Sequence, residues 1–320
     1  MGSLQQEKLM TNFIRQVLNK CGQALVKPDG ISKIEYESLM LLQAKQILDF
    51  RANFPPKTLH EAELKVFSQF GEDGIIQWII SFIPDIIPVF IEFGVEDYRE
   101  SCTRFLLMNN NWKGLIIDSD NENIKAIKRS DYYWKHDLTV ECSFVDRDNI
   151  NDLFTKNGFN GDIGILSIDI DGNDYWIWEA INVVSPQVVI CEYNSLWGSE
   201  KSLAVAYDPS FVRTNAHYSN LYSGASITAL TNLAALKGYS LLGSISTSNI
   251  AFFVKNIYAP FFKIPSPQEA YVESKFRESR GINGELTYIS GKERLSVVRE
   301  LPLIDLETGE TSVISNIFQC

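Results

Sequence analysis

The 320-residue sequence is short of positive charge, and it contains neither a long apolar run nor a cysteine cluster. Lys and Arg number 29 against 40 Asp and Glu, which gives a formal net charge of −11. Proteins that bind nucleic acid usually present a basic face, so this balance argues against a nucleic-acid partner. No apolar stretch approaches the roughly 20 residues that a membrane-spanning helix requires.

The five cysteines are scattered and show no CxxC spacing. This pattern fits neither a disulfide framework nor a zinc cluster, and it favours a reducing compartment, the cytoplasm. The amino terminus, MGSLQQEKLM, lacks the apolar core of a signal peptide. We interpret the cysteines as small apolar residues of the interior. They are Cys21, Cys102, Cys142, Cys191 and Cys320.

Residues 1–60 are predicted to form an N-terminal helical extension. Apolar residues recur at helical spacing in a first helix, which residues 27–30 (KPDG) interrupt. A second helix is predicted from about Ser32 to Phe50. The helices carry few basic residues beside their apolar ones, so packing within the protein or in a homo-oligomer is favoured over contact with a membrane surface.

In residues 61–257 short apolar runs alternate with helical patterns, which is typical of βαβ units and a parallel sheet. The predicted strands are 89–94, 114–118, 142–145, 163–170, 187–192, 239–244 and 250–255, and the last two are expected to pair antiparallel. The predicted helices are 101–109, 121–128, 149–157, one from about residue 174, and 225–237. Residues 193–222 have no clear period, as in functional lids or binding loops. Residues 258–320 form a C-terminal extension of unassigned role.

The apolar run from residue 163 to 174 ends in three carboxylates. On an extended strand Leu166 takes one face and Asp169 the other. Ionised carboxylates beside a core are costly unless something pairs with them. The run therefore predicts a strand whose carboxyl end opens into a crevice, where open α/β sheets bind ligands. Asp171 and Asp174 are interpreted as caps of the following helix.

Two earlier predicted strands also end in acids. Glu92 and Gly94 end the first, and the glycine permits close approach of the backbone to a ligand. Asp118 ends the second, where an acid can accept hydrogen bonds from both hydroxyls of a ribose. No GxGxxG loop follows Gly94, so a pyrophosphate is poorly accommodated. A nucleoside cofactor without phosphates fits better, which points to S-adenosylmethionine (SAM), whose sulfonium is positive.

Several short motifs occur in order: SQFGED at 68–73, IEFGV at 91–95, NWKG at 111–114 before IIDSD, LSIDIDGNDYW at 166–176 and VVICEYN at 188–194. Over residues 67–255 this order resembles the FkbM-type branch of SAM-dependent methyltransferases. The resemblance implies a Rossmann-like class I methyltransferase fold. That fold is a mainly parallel seven-stranded sheet with its last strand antiparallel and helices on both faces.

The resemblance also implies which residues surround SAM. Glu92 and Gly94 are expected to flank its methionine part, Asp118 the ribose, and the region of Val145 and Asp146 the adenine. The residues expected to bind the cofactor are Gln69, Glu92, Gly94, Ser101, Asp118 and Asp146.

In such a sheet the strands carrying Asp169 and Glu192 are neighbours, and Glu192 and Asn194 share one face of the extended chain. These three residues offer oxygen ligands for Mg²⁺ or another divalent cation, an arrangement similar to that of metal-dependent O-methyltransferases. Asp169 is expected to position or polarise the acceptor. His217, in the long loop, is the candidate general base near neutral pH. A surface position for His217, and hydrogen bonding by Asp169 without a metal, stay open.

The sequence therefore predicts a SAM-dependent methyltransferase that acts on an oxygen of a sugar, glycan or other small polar metabolite. One alternative is a non-catalytic binding or scaffold protein on the same fold, which the missing glycine-rich loop favours. Another is a different nucleotide-using Rossmann enzyme, such as a dehydrogenase.

Overall fold

The computed structural model describes residues 32–318. These residues belong to two compact units, with the division between Pro55 and Pro56. The first predicted helix, with Cys21, lies outside the described residues, and so does Cys320. Within the described residues no helix is long and apolar enough to cross a membrane.

The described part of the first unit is helix α1 (Lys33–Asn53). The Ser32 hydroxyl accepts the backbone N–H of Glu35, and the Glu35 carboxylate accepts that of Ser32, which together form a capping box. The helix continues three residues beyond the predicted Phe50 and stops before Pro55, because the residue before a proline disfavours the helical conformation.

The second unit contains the main sheet, its helices and a smaller sheet. Its helices are α2 (Glu72–Ser81), α3 (Arg104–Asn110), α4 (Asn121–Lys128), α5 (Asp131–Lys135), α6 (Ile150–Lys156), α7 (Asp174–Ala180), α8 (Arg213–Ala216), α9 (Ile227–Leu236), α10 (Pro267–Ala270), α11 (Glu293–Val298) and α12 (Ile314–Phe318). Short 3-10 turns lie at His60–Ala62, Ser195–Trp197 and Ala259–Phe261. The strands are β1 (Val89–Phe93), β2 (Lys113–Asp118), β3 (Leu138–Cys142), β4 (Gly161–Ile168), β5 (Val184–Glu192), β6 (Leu203–Ala204), β7 (Tyr239–Ser244), β8 (Ile250–Lys255), β9 (Pro302–Asp305) and β10 (Thr311–Val313).

The main sheet has seven strands in the order β3-β2-β1-β4-β5-β8-β7. The pairs among the first five strands are parallel, and β8 runs antiparallel to both β5 and β7. The predicted antiparallel pair at residues 239–244 and 250–255 is confirmed with those bounds. The Rossmann-like class I methyltransferase fold predicted for this chain is likewise confirmed.

Helices cover both faces of the sheet, as predicted. Leu166 packs with Ile177 and Trp178 of α7 in one apolar cluster, whereas its neighbour Ile165 packs with Ile75 of α2 in another. Successive residues of β4 thus enter opposite cores, as the alternation of side chains on a strand requires.

Two predicted elements are displaced. The third strand is β3 at 138–142 rather than 142–145, because it is an edge strand that buries only Leu138 and Val140 and reads as alternation instead of an apolar run. Helix α3 begins at Arg104 rather than residue 101, because the backbone N–H groups of Cys102 and Thr103 donate to the Glu92 carboxylate.

The second sheet joins two segments that are far apart in the sequence. Its order is β10-β9-β6, where β6 belongs to the long loop of residues 193–222 and the other two strands belong to the C-terminal extension. A third apolar cluster packs Leu203 and Tyr222 of the loop against Leu295 and Leu303 of the extension. The loop and the described part of the extension therefore form one packed layer.

Candidate active site

A pocket of about 700 Å³ lies at the carboxyl edge of the main sheet, where β1, β2, β4 and β5 all end. Most of the predicted site residues line it: Gln69, Glu92, Gly94, Ser101, Asp118, Asp169, Glu192 and Asn194. Two predicted residues, Asp146 and His217, do not line the pocket.

Glu92, at the end of β1, fixes the segment before α3. Its carboxylate accepts the backbone N–H of Cys102 at 2.9 Å and of Thr103 at 3.1 Å, together with the hydroxyls of Ser101 and Thr103. The Ser167 hydroxyl also lies 3.4 Å from Oε1 of Glu92. Because a carboxylate has about four acceptor sites, these donors saturate Glu92. Glu92 and Ser101 are therefore hydrogen-bonded to each other, and together they form part of the pocket wall.

Gly94, directly after β1, lies against the backbone of Asp169, directly after β4. Its φ of +78° lies in the left-handed region, and a Cβ there would lie 1.5 Å from the backbone oxygen of Asp169. The glycine predicted to admit a ligand thus admits the neighbouring strand. Glu96 (φ 48°) and Tyr98 (φ 62°) also adopt the left-handed conformation, which is uncommon for residues with a side chain. This segment occupies the turn after β1, where a glycine-rich loop was predicted to be missing.

Asp118, at the end of β2, holds the turn that follows Gly94. Its Oδ2 accepts the backbone N–H of Glu96 at 2.8 Å, and its Oδ1 accepts the backbone N–H of Asp120 at 2.8 Å and the Asn123 amide at 3.3 Å. Three of about four acceptor sites are occupied, which leaves one on Oδ2 for a ligand hydroxyl.

Three carboxylates converge beyond β4 and β5. Asp169, Asp171 and Glu192, here called the acidic group, each have an oxygen within 4.8 Å of the others. Burial, followed by repulsion among these carboxylates, raises the pKa of Asp169 and of Glu192 well above the ordinary range. Such a group retains a proton or attracts a cation.

Asn194, predicted as a metal ligand, is occupied by other bonds. Its Oδ1 accepts the backbone N–H of Leu196 at 3.0 Å, and its Nδ2 donates to the carbonyls of Leu221 and Ser223 at 3.1 Å. The third oxygen beside Asp169 and Glu192 comes instead from Asp171.

The two acids interpreted as helix caps have different roles. The Asp174 carboxylate accepts the backbone N–H groups of Ile170 and Gly172, both at 2.9 Å, and so closes the turn before α7. Asp171, with φ +58°, projects outward and forms an ion pair with Arg213. The capping interpretation is therefore wrong for both acids. Asp174 bonds N–H groups that precede α7 and none in its first turn, and Asp171 pairs with the loop residue Arg213.

Arg213 is the charged residue that the long loop brings to the acidic group. Besides its ion pair with Asp171, its Nε donates to the carbonyl of Asn220 at 2.8 Å. The His217 ring instead bonds Ser219 through Nδ1 at 2.7 Å, and burial lowers its pKa. The role of general base predicted for His217 would require the loop to rearrange.

Ser143, Phe144 and Val145, which directly follow β3, line one end of the pocket. Asp146 turns away from it, since its Oδ1 accepts the backbone N–H groups of Asp148 and Asn149, both at 2.8 Å. Of the two residues predicted to lie near the adenine, Val145 lines the pocket and Asp146 does not.

Asp73 holds the SQFGED segment against the pocket. Its buried Oδ2 accepts the backbone N–H groups of residues 66, 67 and 68 at 2.7–2.8 Å, and the hydroxyl of Ser68. Phe70, on this segment, packs its ring 5.3 Å from that of Phe276 in the C-terminal extension.

Sequence reasoning missed the part of the pocket that comes from the C-terminal extension: Ser274, Phe276, Glu278 and Arg294. No local signal identified them. Arg294 follows two exposed charged residues, Lys292 and Glu293, and only the tertiary structure distinguishes it from them.

No protein-family model matches the sequence, and no curated protein sequence matches it. Among solved structures, the chain is similar to an O-methyltransferase from Bacillus cereus in complex with S-adenosylhomocysteine (SAH), with 13% identity over 68% of this chain and 91% of that chain, at a TM-score of 0.40. It is also similar to a SAM-dependent methyltransferase from Clostridium acetobutylicum ATCC 824, with 10% identity over 57% and 90%, at a TM-score of 0.39. A third is the SAH-bound N-terminal domain of EvdMO1, with 10% identity over 66% and 94%, at a TM-score of 0.38. The fold assignment itself rests on the strand order.

Proposed function

We propose that this protein transfers the methyl group of SAM to a small polar acceptor. The observation that carries the proposal is the pocket at the carboxyl edge of a sheet in the class I strand order, with Asp118 at the tip of β2. Open α/β sheets bind ligands at this edge. Asp118 keeps an acceptor site for a ribose hydroxyl, and Phe144 and Val145 offer an apolar surface to an adenine.

The charge of the pocket favours SAM over a dinucleotide. Nine acidic residues and two arginines line it, and both arginines come from the long loop and the C-terminal extension. The side of β1 and β2 therefore attracts the positive sulfonium and repels a pyrophosphate. The NAD-dependent dehydrogenase alternative is disfavoured for this reason. The scaffold alternative is disfavoured because an inert protein would not need three converging carboxylates at the tips of two strands.

Methyl transfer breaks the bond between carbon and sulfur and forms a bond from carbon to the acceptor oxygen, which loses its proton. Catalysis would rest mainly on holding the three atoms in line, an orientation effect. Asp169 and Glu192 lie at the ends of the neighbouring strands β4 and β5 and line the pocket. In this proposal the carboxyl group of the pair that holds the proton orients the acceptor, and the ionised one receives the proton of the acceptor hydroxyl. The sugar or glycan nature of the acceptor remains part of this proposal.

The acidic group fits a divalent cation only in part. Three carboxylate oxygens suit Mg²⁺, but Arg213 already neutralises Asp171. A bound cation would supply a positive charge that lowers the pKa of the acceptor hydroxyl. We propose no catalytic step through it, and turnover with Mg²⁺ and with a chelator would decide its contribution.

Titration calorimetry with SAH tests the proposal. The wild type should bind SAH, and Asp118→Ala should weaken binding about tenfold or more, the effect of losing one hydrogen bond to a charged acceptor. Asp131→Ala, which removes an exposed acid of α5, is the matched control and should bind like the wild type. Absence of SAH binding, displacement of SAH by NAD, or equal affinities of the two variants would refute the proposal.

The location and assembly of the protein remain predictions. The described cysteines, Cys102, Cys142 and Cys191, are all free, which supports the cytoplasm as the proposed compartment. Light scattering of the full chain would test a homo-oligomer formed through the N-terminal helices.

A further inference from the structure

Arg294, on α11, lines the pocket although its side chain is buried; the residue is only 6% exposed. Its guanidinium donates to the Gly291 carbonyl at 3.2 Å, to the Ser274 hydroxyl at 3.3 Å and to the Ser274 carbonyl at 3.3 Å. All of these acceptors are neutral. An arginine has five N–H donors, so the observed bonds leave two of them available.

The charge of Arg294 has no acidic partner within residues 32–318, since no carboxylate there lies in ion-pair distance of it. Arg213, the other arginine of the pocket, is paired with Asp171. Glu273, on the segment that Arg294 contacts, is exposed and acts on it only at longer range. Buried charges in proteins are normally paired, because taking an unpaired charge out of water is costly. A bound ligand can supply the missing negative charge.

Arg294 belongs to the layer that the long loop and the C-terminal extension form. Its neighbour Leu295 packs in one apolar cluster with Leu196 and Trp197, which follow β5. The segment that carries its partner Ser274 extends from Tyr271, whose hydroxyl donates to the carbonyl of Ser195, to Phe276, whose ring packs against that of Phe70. In the strand order, β5 is two strands from β1 and three from β2, where the proposed cofactor residues lie, so this layer borders the part of the pocket that the proposed cofactor leaves to the methyl acceptor.

A second unsatisfied polar group borders the same half. Ser248, between β7 and β8, lines the pocket, is 1% exposed and has a hydroxyl without a hydrogen-bond partner among the described residues. Its φ of +75° holds it in the left-handed conformation. A buried donor of this kind is normally satisfied, and a ligand in the pocket would supply the missing acceptor.

Building on the function proposed above, we propose that Arg294 binds an anionic group of the methyl acceptor, a carboxylate or a phosphate. Ser248 adds a neutral donor on the same side. The acids at the tips of β1 and β2 belong to the proposed cofactor side. In the acidic group, Asp171 is paired with Arg213, and burial favours the neutral forms of Asp169 and Glu192. Glu278, the pocket acid on the segment that carries Ser274, is paired with Arg280. The carboxylate of SAM is the other source of the same chemistry, and the experiment separates the two.

Titration calorimetry with inorganic phosphate, on the full chain with and without SAH, tests the proposal. Phosphate should bind the wild type, Arg294→Gln should weaken its binding about tenfold or more, and Arg294→Lys should retain most of it. Arg299→Gln removes an exposed arginine at the end of the same helix, paired with Glu300, and should change nothing. SAH affinity should be equal in Arg294→Gln and the wild type.

Equal phosphate affinity in Arg294→Gln and the wild type would overturn the proposal and leave Arg294 a purely structural residue. Weaker binding of SAH, but not of methylthioadenosine, by Arg294→Gln would assign the anion to the cofactor and would also overturn it. Failure of the wild type to bind SAH would refute the proposed function, while the phosphate titration would still decide the anion site. Should Arg294→Gln not fold, phosphate must shift the Nη–H resonances of Arg294 in the wild type, assigned with Arg294→Lys; unshifted resonances overturn the proposal.

Discussion

Replacing Gly94 with alanine should separate β1 from β4 at the pocket. The left-handed φ of +78° costs a residue with a side chain about 1–2 kcal/mol. The added Cβ would lie 1.5 Å from the Asp169 backbone oxygen, whereas ordinary contact begins at 3.4 Å, so backbone must move. Overpacking of this kind costs about 1–3 kcal/mol. Gly94→Ala should therefore lower the free energy of unfolding by about 2–5 kcal/mol.

Gly158→Ala is the matched control, because Gly158 has nearly the same φ of +80° and nothing within 4 Å of an added Cβ. It should show only the backbone cost of about 1–2 kcal/mol. Urea unfolding followed by tryptophan fluorescence measures both variants. At low temperature, Gly94→Ala should also bind SAH more weakly than Gly158→Ala, because the shift moves Asp169 and the turn that Asp118 holds.

Equal losses of unfolding free energy in the two variants would refute this reasoning. The cost at Gly94 would then come from its backbone conformation alone, and the close approach of β1 to Asp169 would have no energetic role.

Three further predictions concern buried carboxylates. Asp73→Ala leaves three buried backbone N–H groups of residues 66–68 without an acceptor and should lower the free energy of unfolding by about 3–6 kcal/mol. Asp73→Asn keeps an acceptor and should lose clearly less in urea unfolding; equal losses in the two variants would contradict this. Burial raises the pKa of Asp73 from 3.8 to about 6, so the folded state holds the proton more tightly than the unfolded chain. The resulting stabilisation, about 3 kcal/mol, is complete below pH 3.8 and is lost as the pH rises through about 6. If the free energy of unfolding has the same pH dependence in the wild type and in Asp73→Asn across that window, this reasoning is wrong. Glu92→Gln places an amide among donors that all point at a carboxylate and should cost about 1–3 kcal/mol in the same assay, a conclusion that an unchanged midpoint would exclude.

The parts of the fold that were predictable are those whose pattern is local. The bounds of α4, β7 and β8 agree with the sequence prediction, because polar turns flank each of them and their apolar residues form a helical repeat in α4 and short buried runs in β7 and β8. The edge strand β3 was misplaced, since its half-exposed residues, such as Glu141, hide the apolar run that central strands show.

The residues of the candidate site were also predictable only where the sequence pattern is local. Asp118, Asp169 and Glu192 were predictable because parallel strands place their carboxyl ends at one edge of a sheet. Arg213 and Arg294 were not, because segments without a period position them through contacts far away in the sequence. His217 was predicted from the chemistry of its side chain alone. The backbone of the loop instead brings Arg213 to the acidic group.

The pairing of β6 with β9 has a mechanical consequence for the acceptor side of the molecule. The long loop and the C-terminal segment are hydrogen-bonded into a single sheet, so neither can swing outward without the other. On the function proposed here, exchange of an acceptor would displace this layer as one body or proceed past its margin. Substitutions in the last sixty or so residues of the chain would then change the choice of acceptor and leave the affinity for SAM unchanged.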